Sequence, residues 1–534
     1  METQTEAVDY SRHRRGSTRK MPFAYIAWLW SNQENQSLSG GEVKQFWIIA
    51  GLFMGLLAAG IVAPAAAKAD TACADLASTH LSHAEVTKAA TEMADGKILC
   101  RLSVTSRPTK DSDIRIEIWL PQGEAWNGKF VQLGNGGFAG SIPSGRLRVL
   151  AAQGFAAAGT DDGHQSLIGT SASWAYGHPE KIADFGWRAV KETTDVAKAL
   201  IRTQSSGLKQ SYFFGCSDGG REALMTAQRF PADFDGIIAG APANYMSRLF
   251  GLSAAQQQAL SKPGAYLEAA DLALLQRASL AECASGDSFI RDPLACRFDP
   301  KTLACKAGQT AGCLSPAQIA AARTIYQGHR DPRSGRLVFP GFSPGAEAVS
   351  GGWGAWITGA SQDKRSQANG YQFSSNAFKY FAFENPSYDF LKLDLGAEFD
   401  RAHAKMAPII DADSPDLSAF KRHGGKLLSF HGWNDPAIPA RSSIRYYEDV
   451  RRTMGDPSAF YKLYLMPGML HCGGGPGPGN VDWLSELDAW VVAAHPPATL
   501  IATGPLGASQ TVCPYPVVAR KTGKGWSCTA PRPR

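Results

Sequence analysis

Gly215-Cys216-Ser217-Asp218-Gly219 lies between an apolar strand candidate, Tyr212-Phe213-Phe214, and a helical stretch running from Asp218 to Phe230. That placement constrains the fold more than any bulk property of the chain. G-x-S-x-G is the strained strand-to-helix turn that lifts a serine hydroxyl above the end of a parallel sheet. Chance matches are frequent in glycine-rich chains, and this one has 55 glycines. The strand before the turn, and the helix after it with Ala223, Leu224 and Ala227 on one face, favour the functional turn over chance. Cys216 precedes Ser217, and a distant second cysteine, Cys472, follows His471. A bond between the two would tie a candidate nucleophile to a candidate base.

The rest of the chain alternates short apolar strands with helical stretches, the pattern of an α/β fold. Ile114, Ile116 and Ile118 alternate with Arg115 and Glu117, and Phe130 to Leu133 runs into Gly134-Asn135-Gly136-Gly137. Residues 183–201 read as a helix. Two later strands end at reactive residues: Leu427 to Phe430 leads to His431 and Asp435, and Tyr461 to Leu465 leads to His471. Functional groups of open α/β sheets gather at the carboxyl ends of strands. The expected architecture is an α/β-hydrolase: a mostly parallel sheet, helices on both faces and a large inserted lid domain. The lid is read from residues 245–410, which hold four cysteines and an aromatic-rich segment from Trp353 to Phe383. Such a stretch is too long for an ordinary loop. The expected division is 1–69 targeting segment, 70–244 first hydrolase part, 245–410 lid and 411–534 second hydrolase part.

Hydrophobic content of 44% and charged content of 19% leave an ample core in 534 residues, and the net charge of +6 is small. Much of that basic character sits in Arg12, Arg14, Arg15, Arg19 and Lys20, ahead of the expected fold, which argues against a nucleic-acid partner. Phe46 to Ala63 is an unbroken apolar and small-residue run after Lys44, and Ala67-Lys68-Ala69 follows as a cleavage pattern. This reads as an export signal with Met21 as an alternative start, the rival being an uncleaved membrane anchor. The mature chain is expected to be exported, periplasmic or extracellular, with no membrane contact after cleavage. All ten cysteines follow the cleavage site. An even count in an exported chain points to disulfides. Sequence neighbours suggest Cys73–Cys100, Cys283–Cys296, Cys305–Cys313 and Cys513–Cys528, leaving Cys216 and Cys472 for each other. No C-x-x-C pair supports zinc.

Ester hydrolysis by a serine needs a base to take the hydroxyl proton, an acid to orient that base, and N–H donors for the oxyanion. Ser217 is the candidate nucleophile and His471 the candidate base, with a structural histidine as the plainer alternative. Asp435 is the candidate acid, because it follows a strand and gives the chain order Ser, acid, His. His431, four residues before it, is expected to line the pocket as a contact. The oxyanion site is expected to combine the backbone N–H of Asp218 with one from Gly134-Asn135-Gly136-Gly137, where glycines permit close approach.

These segments, with Phe234-Asp235-Gly236-Ile237-Ile238-Ala239-Gly240-Ala241-Pro242 and Pro467-Gly468-Met469-Leu470-His471-Cys472-Gly473-Gly474-Gly475-Pro476-Gly477, resemble the tannase and feruloyl esterase family from about Cys73 to Cys528. The resemblance implies an α/β-hydrolase with a lid, catalysis by Ser217, Asp435 and His471, and oxyanion donors at Gly137 and Asp218. It also implies the five cysteine pairs above and a small aromatic ester as substrate. Expected substrate contacts are His431, Trp356, Asn369, Phe373 and Ile438. The aromatic residues Trp353, Trp356, Tyr371 and Phe373 either stack on a substrate ring or form the lid core. Relative to the family's terephthalate monoester hydrolase, Asn369 stands where an arginine would grip a free carboxylate, so that monoester is disfavoured. Family members usually bind calcium through an aspartate- and glycine-rich lid loop. Between Cys283 and Cys296 this chain offers only Asp287 and Asp292, too few for six to eight oxygen ligands, so no cofactor or metal is expected. The leading expectation is a feruloyl-type esterase. The alternatives are a gallate esterase, a general aryl or alkyl esterase, and a catalytically silent hydrolase fold that binds.

Overall fold

A computed structural model describes residues 73–205, 207–523 and 525–530; the expected targeting segment 1–69 lies outside them. Its centre is a nine-stranded sheet. Along the chain come β1 (Ala84–Ala94), β2 (Lys97–Ser106), β3 (Ile114–Pro121), β4 (Lys129–Leu133), β5 (Ala156–Thr160), β6 (Gln210–Cys216) and β7 (Gly236–Gly240). A separate hairpin follows, β8 (His329–Arg330) and β9 (Leu337–Phe339), before β10 (Lys426–Gly432) and β11 (Tyr461–Met466) rejoin the sheet. The spatial order is β1-β2-β3-β5-β4-β6-β7-β10-β11. From β5 to β11 every pairing is parallel. The β1, β2 and β3 end is antiparallel, including the β3–β5 pairing.

Strand alternation feeds two cores, because successive side chains leave a strand on opposite faces. On one face Phe213, Ile237 and Leu427 pack with Ala223, Leu224 and Ala227 of the helix Asp218–Arg229. On the other, Tyr212, Ile238 and Leu428 pack with Leu147 and Leu150 of the helix Ser144–Ala152 and with Leu487 and Trp490 of the helix Trp483–Ala493. Apolar helices on both faces explain why these strands read as continuous hydrophobic runs.

Residues 241–425 leave the sheet between β7 and β10 and carry the helices Met246–Leu260, Ala269–Cys283, Pro316–Gln327, Asn369–Asn376 and Ala397–Ile410. Their aromatic core closes around Phe138, which follows the glycine loop after β4. Phe250, Phe373 and Phe381 surround that ring at centroid distances of 5.8, 5.1 and 5.2 Å. The loop that is expected to hold an oxyanion is therefore wedged into the inserted segment. After β11 the chain ends in two small antiparallel hairpins, β12 (Leu500–Thr503) with β13 (Ser509–Val512) and β14 (Val518–Thr522) with β15 (Gly525–Thr529). No helix among the described residues is long and apolar enough to cross a membrane.

Candidate active site

Ser217 caps the helix Asp218–Arg229 with φ 65° and ψ −121°, a conformation that a non-glycine residue holds only when its surroundings enforce it. The enforcement is close packing. A Cβ on Gly215 would strike the backbone of Gly219, so only glycine permits the turn to fold this tightly. The Ser217 N–H donates to the Gly240 carbonyl at 3.0 Å, and its own carbonyl accepts from Ala243 at 3.0 Å.

Asp435 lies three residues beyond β10, and His471 lies five beyond β11, at the same sheet edge. His471 Nε2 is 2.8 Å from Ser217 Oγ, and its Nδ1 is 2.8 Å from Asp435 Oδ2. Asp435 Oδ1 accepts from the N–H groups of Ala437 and Ile438 at 2.8 and 2.9 Å. Burial by itself would raise this carboxyl. The facing His471 imidazole and the hydrogen bonds from His431 and His471 outweigh it and hold the group below the usual carboxylate range. The acid therefore stays ionised and fixes the imidazole with Nε2 toward the serine.

Cys216 and Cys472 are bonded, with their Cα atoms 6.0 Å apart. The other eight cysteines pair as Cys73–Cys100, Cys283–Cys296, Cys305–Cys313 and Cys513–Cys528.

The Gly137 and Asp218 backbones border the cleft above Ser217, and among the described residues no acceptor pairs with either N–H. Gly137 has φ 62°, and a Cβ there would sit 2.6 Å from the Gly169 carbonyl oxygen. An acidic side chain beside an oxyanion site would oppose the charge that develops there. Here the Asp218 carboxylate is bound by the fully buried Arg221 at 2.5 Å, and Arg221 is held in turn by the Gly186 and Phe185 carbonyls.

Behind the oxyanion loop stands a buried acid cluster, Asp162, Asp218 and Glu222, whose carboxylate oxygens lie within 4.8 Å of one another. Glu222 Oε2 accepts from the Asn135 N–H at 3.0 Å, while Gly219 N–H donates to the Asn135 carbonyl at 2.7 Å. The glycine loop is thus fastened to the nucleophile helix at two points. Burial and the neighbouring Asp218 charge push Glu222 up to about 7, and burial with the Glu222 charge raises Asp162 strongly. Within this cluster the Arg221 guanidinium already supplies a cation to the Asp218 carboxylate.

This cluster makes a prediction about pH. Below the ordinary glutamate value of 4.5 the folded and unfolded chains both carry the Glu222 proton. Between there and about 7 only the folded chain keeps it, so stability falls as pH rises through that window. Glu222→Gln is expected to flatten the fall, seen as urea midpoints at about pH 5 and pH 8. Parallel declines in parent and variant would contradict the assignment.

A cleft extends from Ser217 beneath the inserted segment and is lined mainly by apolar side chains. Trp356, Phe373 and Ile438 line it as expected. Trp356 presents an edge to His471 at 5.2 Å between centroids, and it stacks with Phe373 at 6.3 Å. The aromatic segment thus divides between two roles. Trp353 is buried against Tyr326, and Tyr371 packs on Phe390, away from the cleft.

Two expected contacts are corrected. His431 does not line the cleft; it is fully buried beneath Asp435, with Nδ1 on Ser443 Oγ at 2.7 Å and Nε2 3.1 Å from Asp435 Oδ2. Its position on β10 turns it under the acid. Asn369 begins its helix half-buried and is outside the cleft lining, where its neighbour Gly370 lies instead. In the lid loop Asp287, one of the two carboxylates between Cys283 and Cys296, pairs with Arg291 at 2.5 Å. The contacts by which Asn135, Asp162, Arg221 and Glu222 support the site were not read from the sequence. Arg221 and Glu222 had a readable signal, because they fall one helical turn after Asp218.

The profile of the tannase and feruloyl esterase family matches residues 100–531. The chain belongs to that family. It is a carboxylic ester hydrolase with an α/β-hydrolase fold. An uncharacterised esterase of Xanthomonas campestris is 35% identical over 523 positions, covering 86% of this chain and 90% of that protein. A probable feruloyl esterase B-2 of Aspergillus flavus is 31% identical over 440, covering 76% and 80%. The crystal structure of feruloyl esterase B from Aspergillus oryzae superposes with a TM-score of 0.78 at 25% identity, covering 86% of this chain and all of that one.

Proposed function

We propose that this protein is an exported serine esterase that cleaves feruloyl-type esters of phenolic acids through an acyl-enzyme. The observation that carries the reading is the chain of contacts Ser217 Oγ, His471 Nε2, His471 Nδ1 and Asp435 Oδ2, opening onto an aromatic-lined cleft. Ser217 Oγ attacks the ester carbonyl while His471 takes its proton at Nε2. Asp435 holds the Nδ1 proton and stabilises the imidazolium. The N–H groups of Gly137 and Asp218 receive the oxyanion, whose charge is unopposed because Arg221 neutralises Asp218. His471 then protonates the departing alcohol, and a water activated by the same imidazole releases the acid.

Trp356 and Phe373 supply flat apolar surface for an aromatic acyl group. No cation lines the cleft among the described residues, so a second carboxylate on the ring has no partner there. Export is supported by the five disulfides, which persist in oxidising compartments. The test is a hydrolysis screen of methyl ferulate, methyl caffeate, methyl gallate and a terephthalate monoester. The cinnamate esters are expected to lead in kcat/KM, with the terephthalate monoester slowest. Gallate leading would replace the feruloyl assignment.

A further inference from the structure

One buried group in the cleft has no role in the chemistry above. Gln256 lies on the helix Met246–Leu260, which faces the cleft along one stripe that also includes Phe250 and Ser253. It is only 3% exposed, yet its Nε2 has no hydrogen-bond partner among the described residues. The neighbouring polar groups are all engaged. Ser253 donates to the Gly370 carbonyl at 2.7 Å, Ser374 donates to the Phe250 carbonyl at 3.1 Å, and Asp218 is bound by Arg221. Gln257, the next residue, donates to the Ile357 carbonyl and so fastens the helix to the segment carrying Trp356. A buried amide donor without an acceptor is rare and costly in a folded protein, and in a ligand cleft it marks a place where a ligand atom fits.

We propose that Gln256 is the specificity residue of this cleft and donates a hydrogen bond to an uncharged oxygen on the far edge of the substrate's aromatic ring. The assignment rests on the aromatic-ester reading above and extends it. Met246 and Gln256 both line the cleft and stand ten residues apart, about 15 Å along the helix axis. Side chains lean toward the helix N-terminus, so the amide reaches back into the cleft. The span suits an acyl group with a spacer between ester carbonyl and ring, with a ring hydroxyl or methoxy oxygen at its far end. A neutral amide donor pairs with such an oxygen, and in a lining whose one charged group, Asp218, is already bound by Arg221 it supplies no countercharge to a carboxylate. A site built to hydrogen-bond a substrate group discriminates against the analogue that lacks it.

The experiment compares kcat/KM for methyl 4-methoxycinnamate and methyl 4-ethylcinnamate, in which a methylene replaces the ring ether oxygen. The unmodified enzyme is expected to favour the methoxy ester by roughly tenfold, the value of one well-made hydrogen bond. Gln256→Leu is expected to bring the ratio to about one. The ratio is independent of the fraction of folded enzyme, so a purely structural role for Gln256 would leave it unmoved. Gln256→Met keeps the length of the side chain but removes the donor, and is likewise expected to bring the ratio to about one; it carries the test if the leucine variant does not fold. An unchanged ratio in the folded variants overturns the subsite while the aromatic-ester reading stands. If the unmodified enzyme cleaves neither cinnamate but does cleave methyl butyrate, the aromatic-ester reading falls, and the subsite falls with it.

Discussion

Ser217→Ala is expected to lower kcat for ester hydrolysis by on the order of 10⁶, with the folded protein otherwise unchanged. Without the hydroxyl, His471 Nε2 has no proton to accept and the acyl-enzyme has no oxygen to form on. The oxyanion donors and the cleft survive, so a residual acceleration over water of roughly 10³ to 10⁴ remains. Alanine retains the Cβ, so the strained φ of 65° is neither relieved nor worsened. The variant should therefore melt close to the parent, which separates lost chemistry from lost folding. Two measurements check this: single-substrate kinetics on methyl ferulate, and covalent labelling by a fluorophosphonate. The parent is expected to label at Ser217 and the variant not to label. A parent that resists labelling under oxidising conditions would favour a binding role for the fold, and substantial activity in the variant would move the nucleophile elsewhere.

The sheet was legible wherever side-chain chemistry and strand environment agreed. β6 and β10 are buried along almost their whole length, and β11, at the sheet edge, is buried at four of six positions, so mostly apolar runs mark all three. The β1–β2 hairpin was not recognised. Its first strand, Ala84–Ala94, holds four alanines, two glutamates and a lysine, residues that local propensity assigns to a helix. Cross-strand pairing with β2 overrides that preference, and the turn between them is Asp95-Gly96 with both residues at positive φ, a hairpin signal present in the sequence. β5 was equally opaque. Ala156 to Thr160 carries almost no strand-forming residue, and small side chains are accepted there because the strand is buried between β3 and β4.

Within the site, the residues that the fold brings together, Ser217, Asp435 and His471, were easier to find than the residues packed around them. A nucleophile, base and acid must each end a strand, and motif spacing betrays them. Much of the support comes from groups far apart in sequence: Asn135 on Glu222 and Gly219 on Asn135. His431 shows the limit most clearly. Its proximity to Asp435 in sequence was correctly read as proximity in space, but the side to which β10 turns its ring depends on the register of the whole sheet, and that turned a supposed pocket wall into a buttress for the acid. Gln256 had no sequence signal, because a glutamine among alanines and glutamines on a helix differs from its neighbours only in what faces it.

Removing the bridge with Cys216→Ala and Cys472→Ala together is the second large effect expected. The bond spans 256 positions, for which the chain-entropy argument gives about 5 kcal/mol as an upper figure, with real disulfides often delivering less. Stability is only part of the consequence. Cys216 ends β6 directly before the nucleophile, and Cys472 follows the base in a left-handed conformation with φ 59°. Contacts hold the histidine's loop as far as Leu470, whose N–H donates to the Gly474 carbonyl at 3.2 Å, and Asn434 N–H bonds Met469 at 3.0 Å. Cys472 lies inside the turn that the Leu470–Gly474 bond closes, and its sulfur ties that turn to β6, so cutting the bridge is expected to loosen the backbone of His471 against Ser217. A displacement near 1 Å at a reacting group can cost about 10² in rate. The double variant is therefore expected to lose about that much in kcat per correctly folded molecule, with a smaller change in KM and a lowered melting temperature. Normalising to folded enzyme by near-ultraviolet circular dichroism keeps the two losses apart. Full kcat in a folded but less stable variant would reduce the bridge to a staple, and the alignment of base and nucleophile would then have to come from the Asp435–His471 contact alone.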